Sequence, residues 1–347
     1  MRALVTAGSS GGHIFPALSF IEGLKKEYPG TSALLVLPAN AAVKKDALAG
    51  FDIKYISVSS AWGLLKSFFQ GAFLIAEFRP DIAVGFGSIS SLPVMLCAWL
   101  FRIPTMIHEQ NVIPGKANVL LAWFCDSVAV SFEQTRSYLK QKGKIILTGN
   151  PVRQKLEVVD KQKALKFFGL QDKTTILVMG GSQGSSRINA EFLKAAGSIR
   201  GDLQVIHLCG PRDPDMLKSG YDKLGIEARV FSFLDQMHYA YSASDLLIAR
   251  AGAITISEAA FFGIPAILIP YPFAGAHQAA NARVLTSRGC AIEIEDPKLT
   301  PGLLKDKIEG LMGNAKRLEE MRLAYKSLQG RDPAAALAAQ AKRLISS

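Results

Sequence analysis

A histidine ends the first glycine-rich loop of this chain. The stretch RALVTAGSSGGHIFPALSF, residues 2–20, runs an apolar strand into Gly8, Gly11 and Gly12 and places His13 where a helix should begin. Loops of this kind aim unpaired backbone N–H groups and the positive end of a helix at an anion. A lysine or arginine there would hold phosphate. An imidazole meets the same positive end, which disfavours its protonated form, so it is suited to taking a proton from a nucleophile. The structural alternative for His13 is a helix-start cap.

Other polar groups stand at comparable places. MGGSQGSSRIN (179–189) lacks the Gly-Lys-Ser/Thr ending of a triphosphate loop, yet Ser182, Gln183 and Gly184 can bond a diphosphate through hydroxyl and backbone. RAGAITISEAAFFGIP (250–265) turns at Gly252 and Ala253, sets Thr255 and Ser257 in a first helical turn and continues to Glu258. A carboxylate there suits the two hydroxyls of a ribose. Its alternative is a helix-dipole partner worth about 0.3–1 kcal/mol. Gln278 and Asn281 stand at helical spacing and suit a polyhydroxyl ligand, or else cap and solvate. His108, Glu109, Gln110 and Asn111 follow one another at the carboxyl end of an apolar strand, the end that faces ligand in doubly wound sheets; one or two of them are expected to tie down the next loop. TGNPVR (148–153) supplies Arg153, able to neutralise a diphosphate. The DPD triplet at 213–215 lies in a charged loop, and no metal role is expected of it.

Elements of one kind must position these groups. Strand-like runs alternate with helical patterns, which implies parallel sheets covered by helices. The segment 81–107 runs parallel in character to 245–269: in each, Asp opens a strand, a Gly/Ser turn starts a helix, and Ile-Pro opens the next strand. Two Rossmann-like domains facing across a cleft follow, 1–153 and 154–330, with a hinge near 153–165 and a C-terminal helix at about 331–347 expected to pack back on the first. A chain of 347 residues, 49% apolar and 20% charged, accommodates two such cores.

The net charge of +11 is diffuse: residues 1–150 carry 14 Lys and Arg against 9 Asp and Glu, so no basic block marks a nucleic-acid tail. Diffuse positive charge suits nucleotides, anionic lipid surfaces or pyrophosphate substrates. The four cysteines are scattered without a C-x-x-C pair and are expected to be buried thiols. The chain enters a strand at once, so no signal peptide is expected, and its longest apolar runs fall short of the roughly 18–20 residues that span a bilayer. SAWGLLKSFFQGAFLIAEFR (60–79) instead resembles an interfacial helix: Trp62, Leu64, Leu65, Phe68, Phe69 and Phe73 are interspersed with Lys66 and Arg79. Its aromatic first half is the expected membrane contact, and its second half an ordinary core helix.

GSSGGHIFPAL, IHEQNVIPGKAN, TGNPVR, MGGSQGS, RAGAITISEAAFFGIPAILIP and HQAANA occur together and in this order. The set resembles the MurG family, the bacterial UDP-N-acetylglucosamine:lipid I N-acetylglucosaminyltransferases of peptidoglycan synthesis, over nearly the whole chain. The resemblance implies a GT-B fold and an inverting, metal-independent transfer of GlcNAc to the C4 hydroxyl of MurNAc in lipid I, with no cofactor. It also implies peripheral attachment to the cytoplasmic face of the inner membrane, with other cell-wall synthesis and division proteins as candidate partners. His13 is then the expected base, with Glu109 as a second choice. Ser10, Gly11, Gly12 and Asn111 lie at the sugar–acceptor junction. Arg153, Ser182, Gln183, Gly184 and the backbone of Leu234 meet the nucleotide; Ala253, Ile254, Thr255, Ile256, Ser257 and Glu258 hold diphosphate and ribose; Gln278 reaches the sugar.

Two departures stand out. The family's first loop usually reads Thr-Gly-Gly-His, and Ser10 keeps the hydroxyl. Its second usually reads Gly-Gly-Tyr-x-Ser, whereas GFGSISSLP puts Ser88 for a glycine and Ile89 for the aromatic. Gly87, Ser88 and Ser91 are the expected acceptor-side residues, so acceptor geometry is what the change touches. Other readings of the same donor site are a lipid glycosyltransferase of another kind, a UDP-GlcNAc 2-epimerase or a sugar-nucleotide-binding scaffold. A nicotinamide oxidoreductase would need a full G-x-G-x-x-G with its acidic partner, which neither half has.

Overall fold

Short runs of Val, Ile, Leu and Ala that are buried on both faces become parallel strands under helices. In Arg2–Ala7 every residue after Arg2 is buried, and in Ile82–Phe86 all five are. The computed structural model describes residues 1–346 except positions 42, 44, 59, 60, 153–156, 182, 213, 274–276, 329 and 331. Arg153, Ser182 and the first aspartate of the DPD triplet therefore lie outside the described residues.

The chain begins β1 (Arg2–Ala7), α1 (Gly11–Glu27), β2 (Ser32–Pro38), β3 (Asp52–Ile56), α2 (Ala61–Phe78), β4 (Ile82–Phe86) and α3 (Ser91–Leu100). It continues through β5 (Thr105–Glu109), α4 (Lys116–Leu121), β6 (Ser127–Val130) and β7 (Ile145–Leu147). Then come α5 (Lys161–Phe168), β8 (Thr174–Met179), α6 (Ser186–Ala196), β9 (Leu203–Leu208), α7 (Pro214–Leu224), β10 (Glu227–Phe231) and α8 (Met237–Ala243). The last elements are β11 (Leu246–Ala249), α9 (Ala253–Phe262), β12 (Ala266–Leu268), α10 (His277–Thr286), β13 (Ala291–Glu293), α11 (Pro301–Met312), α12 (Ala315–Ala324) and α13 (Pro333–Ser346).

Two compact units result, Met1–Gln154 with Arg331–Ser347, and Lys155–Gly330. The first holds a seven-stranded parallel sheet in the order β3-β2-β1-β4-β5-β6-β7, the second a six-stranded one in the order β10-β9-β8-β11-β12-β13. Both are Rossmann-like. In each the order reverses beside the first strand of the unit, between β1 and β4 and between β8 and β11. Loops leaving two such neighbours diverge and open a crevice at the carboxyl ends. Register aligns those ends: Ala7 pairs with Phe86, and Met179 with Ala249.

α13 belongs to the first unit. It packs along α1, where a Cβ on Gly23 would come within 2.8 Å of the Ala334 Cβ, so glycine there permits the close approach. Two strands go beyond the apolar runs of the sequence. β3 (DIKYI) buries only its last residue fully, and β13 has three residues at a sheet edge, so neither leaves a continuous apolar signature.

Candidate active site

In the first unit the chain leaves β1 through Gly8 and enters α1 with Ser10 as N-cap, in extended conformation. The Ser10 carbonyl accepts from His13 N (3.0 Å) and Ile14 N (3.1 Å), and the Ser10 hydroxyl makes no capping bond. Gly11 and Gly12 occupy the first two helical positions, whose N–H groups have no partner within a helix. His13 follows in the same turn. Its Nδ1 lies 2.8 Å from the Phe86 carbonyl oxygen at the end of β4. A carbonyl only accepts, so Nδ1 carries the hydrogen, and a neutral ring then keeps its lone pair on Nε2.

Glycines make room for this ring. A Cβ on Gly8 would stand 2.8 Å from His13 Cδ2 and 2.6 Å from Ser88 Cβ; one on Gly87 would stand 3.1 Å from His13 Nδ1. Gly87 takes φ +80, natural for glycine, and Ser88 takes φ +73, which an L side chain resists. Of the expected acceptor-side residues, Gly87 and Ser88 thus adjoin His13. Ser91 is fully buried, and its hydroxyl donates to Gly87 O at 2.6 Å. It shapes the turn from beneath and exposes no surface of its own.

Glu109 takes the loop-tying place expected of one or two residues in its run. Its Oε1 accepts from the backbone N (2.9 Å) and Nδ2 (3.3 Å) of Asn111, and its Oε2 from Gly115 N (3.0 Å) and Asn118 Nδ2 (2.7 Å). Four donors converge on this buried carboxylate. Glu109 ties down the loop between β5 and α4. Asn111 is half-buried beside it. His108 lies one residue earlier, fully buried, and burial pushes its imidazole down to about 4.

The second unit builds its loops by close backbone approach. A Cβ on Gly184 (φ +71) would lie 2.1 Å from Cys209 O, and one on Gly180 would lie 2.2 Å from Ser185 N. Gln183 is exposed at the tip of this loop, beside Gly184. Ser185 caps α6 and accepts from Arg250 Nη2 at 3.0 Å. Arg250 is buried, ion-paired with Asp296, and donates to Ile269 O at 3.1 Å. It joins the loops after β8, β11 and β12. The sequence offered one signal for it, a lone cation ending an apolar strand.

α9 starts at Ala253 with Gly252 as N-cap, so Ala253, Ile254 and Thr255 bring unpaired N–H groups to one point. Ile256 is buried and already bonded to Gly252 O. Ser257 donates to Ala253 O at 2.9 Å, leaving its oxygen able to accept. Glu258 accepts from the buried Tyr241 hydroxyl at 2.9 Å. Gln278 Oε1 accepts from Ala251 N (3.1 Å) and Tyr271 N (2.9 Å). Asn281 is fully buried and donates to Ala251 O, so its role is to hold the turn. Leu234 is buried in the loop between β10 and α8. Among the described residues, no group of three His, Cys, Asp or Glu is placed to hold a metal ion.

Apart from these loops, α2 presents a bare aromatic stripe. Trp62 is 80% exposed, Phe69 65% and Phe73 68%, with Leu65 and Lys66 exposed between them. Leu64 and Phe68 are half-buried, and Phe68 packs on the core. Phe73 corrects the expectation of a core-facing second half: Leu74 and Ile75 turn inward there while the stripe continues outside. Trp99, Leu100 and Phe101 at the end of α3 and Trp123 after α4 are exposed as well. Among the described residues no helix is long and apolar enough to cross a membrane.

Residues 3–130 match the glycosyltransferase family 28 N-terminal domain, and residues 175–337 its C-terminal domain. A relative from Thermodesulfovibrio yellowstonii is 37% identical over 93% of this chain and 93% of its own. One from Halothermothrix orenii is 37% identical over 94% and 95%. Both are named UDP-N-acetylglucosamine–N-acetylmuramyl-(pentapeptide) pyrophosphoryl-undecaprenol N-acetylglucosamine transferase. The crystal structure of Acinetobacter baumannii MurG superimposes with a TM-score of 0.80 at 25% identity, covering 99% of this chain and 100% of that one. The α/β class expected from the sequence, two Rossmann-like sheets of the GT-B type, is the one found.

Proposed function

Because this chain belongs to glycosyltransferase family 28, we propose that it transfers GlcNAc from UDP-GlcNAc to the C4 hydroxyl of MurNAc in lipid I, giving lipid II for peptidoglycan synthesis. The observation that carries the reading is the 2.8 Å bond from His13 Nδ1 to Phe86 O, which leaves Nε2 open at the strand-order reversal of the first unit. The acceptor O4 attacks the anomeric carbon of the donor as the bond from that carbon to the β-phosphate oxygen breaks. The O4 proton passes to His13 Nε2, and UDP departs with the electron pair. Attack opposite the leaving group inverts the centre to a β-linkage.

The remaining residues take roles around that step. Ser10, Gly11, Gly12 and Asn111 meet the sugar–acceptor junction, and Gly87 and Ser88 face the acceptor. Gln183, Gly184, Ser182 and the first amides of α9 hold the diphosphate. With Arg153 they take the charge that develops on departing UDP, by oriented N–H groups and a guanidinium. In this reading no metal or other cofactor is required. Glu258 accepts from the ribose hydroxyls, the Leu234 backbone meets uracil, and Gln278 Nε2 donates to a sugar hydroxyl. The first unit is the acceptor side and rests on anionic lipid through the α2 stripe at the cytoplasmic face of the cell membrane. The second is the donor side.

UDP release from UDP-GlcNAc, with and without a water-soluble lipid I analogue and in excess EDTA, tests this. Release that needs the analogue and survives EDTA is expected. Donor binding without analogue-dependent release would overturn the assignment.

A further inference from the structure

The carbonyl that fixes His13 has a second neighbour. Gln110, 2% exposed just beyond β5, brings its Nε2 to 3.4 Å from Phe86 O and 3.1 Å from His108 Nδ1. The same nitrogen lies 3.3 Å from His108 O. On its far side, His108 Nε2 stands 3.0 Å from Gly149 O. Gly149 O only accepts, so His108 carries its hydrogen on Nε2 and accepts at Nδ1. Burial keeps the His108 ring neutral. The Gln110 amide then donates one proton to His108 Nδ1 and turns the other between the carbonyl oxygens of His108 (3.3 Å) and Phe86 (3.4 Å); at Phe86 O it meets the Nδ1–H of His13.

The other end of the amide is costly. Gln110 Oε1 is buried with no hydrogen-bond partner among the described residues. A buried carbonyl oxygen without a donor is a penalty that an apolar side chain of the same length would avoid. What Gln110 supplies, and such a side chain could not, is the NH2 group.

We propose that Gln110 is a positioning residue for the base: with His108 it holds the Phe86 carbonyl in the orientation that fixes the ring plane and tautomer of His13 and leaves Nε2 to the acceptor hydroxyl. The inference rests on His13 as the proton acceptor and deepens that reading. Gln110 and His108 are buried and act through the carbonyl.

A double-mutant cycle separates this from a purely structural role. Gln110→Met keeps length and removes both donors. Gln110→Glu keeps shape but supplies at most one proton for the two acceptors, and it serves if the methionine variant fails to fold. Each is combined with wild-type His13 and with His13→Asn, and kcat and donor KM are measured at saturating lipid I analogue. Beside wild-type His13 the Gln110 variants lower kcat roughly tenfold with donor KM within twofold; beside His13→Asn they change kcat less than twofold. The 15N shifts of the His13 ring report the tautomer independently. They are expected to show Nδ1–H in the wild type and a mixture in the variants. Equal losses in both backgrounds, or an unchanged tautomer, would overturn the inference and leave His13 as base. Full activity of His13→Asn alone would remove the base assignment, and this inference with it.

Discussion

Ser88 takes a backbone conformation that glycine adopts freely, with φ +73, directly against Gly8 and beside His13. A left-handed non-glycine residue costs about 1–2 kcal/mol, part of which glycine returns through its greater freedom in the unfolded chain. Strain kept next to the proposed base points to a functional role. Ser88→Gly is therefore expected to raise stability by about 0.5–1 kcal/mol in denaturant titrations and to raise the acceptor-analogue KM several-fold, with donor KM unchanged. A more stable protein with unaltered acceptor KM would remove Ser88 from the acceptor side. At this scale the sequence exposed the substitution but not its backbone, because φ follows from the turn between β4 and α3. Glu109 shows the converse. Its position in a polar run looked chemical, and only the four donors around it reveal a loop anchor.

α2 carries its argument as an element. Trp62, Leu65, Phe69 and Phe73 recur at three- and four-residue steps, so they share one helical face, and that face is bare while Leu74 and Ile75 enter the core. Burying exposed aromatics in the lipid interface gains about 25 cal/mol per Å² of apolar area, and Lys66 adds attraction to anionic headgroups. The triple change Trp62→Ser, Phe69→Ser, Phe73→Ser is expected to cut co-sedimentation with phosphatidylglycerol-containing vesicles more than tenfold and to leave the melting temperature within about 2 °C. Unchanged sedimentation would place the membrane contact elsewhere. The periodicity of the first half was legible in the sequence. The outward face of the second half was not, although Phe73 stood in the pattern, because SFFQGAFLIAEF is apolar enough around the helix that its outward face is settled only by what packs on the other side.

In the whole molecule, each unit buries one neutral histidine in its sheet. Burial pushes His108 down to about 4 and His207 to about 3; His207 is held between Tyr221 Oη (2.7 Å) and Asn189 Oδ1 (3.1 Å). Unfolding releases both to an ordinary value near 6.5, so between about pH 6.5 and 4 the unfolded chain binds protons that the folded one refuses. Stability is undiminished above that window and falls with acid by about 1.4 kcal/mol per pH unit for each histidine. Melting temperature should drop steeply from pH 6.5 to 4.5, and the His108 and His207 ring protons should not titrate in NMR spectra between pH 7.5 and 5.5. Titration near pH 6.5 would contradict their burial. At this scale the two parallel sheets were largely readable from apolar runs and repeated Asp–strand–Gly–helix–Ile-Pro segments. The edge strands β3 and β13 were not, having half-exposed or very short patterns, and neither was Tyr241 behind Glu258, which no local spacing ties to it.

The most direct measurement is kcat for GlcNAc transfer to a lipid I analogue by His13→Asn beside the wild type, with donor KM determined for both. Asparagine can keep a donor toward Phe86 O but has no second nitrogen to take a proton. A loss of 10²–10⁴-fold in kcat with donor KM nearly unchanged is expected, the range a general base supplies. A kcat within a few-fold of wild type would contradict the account at its centre.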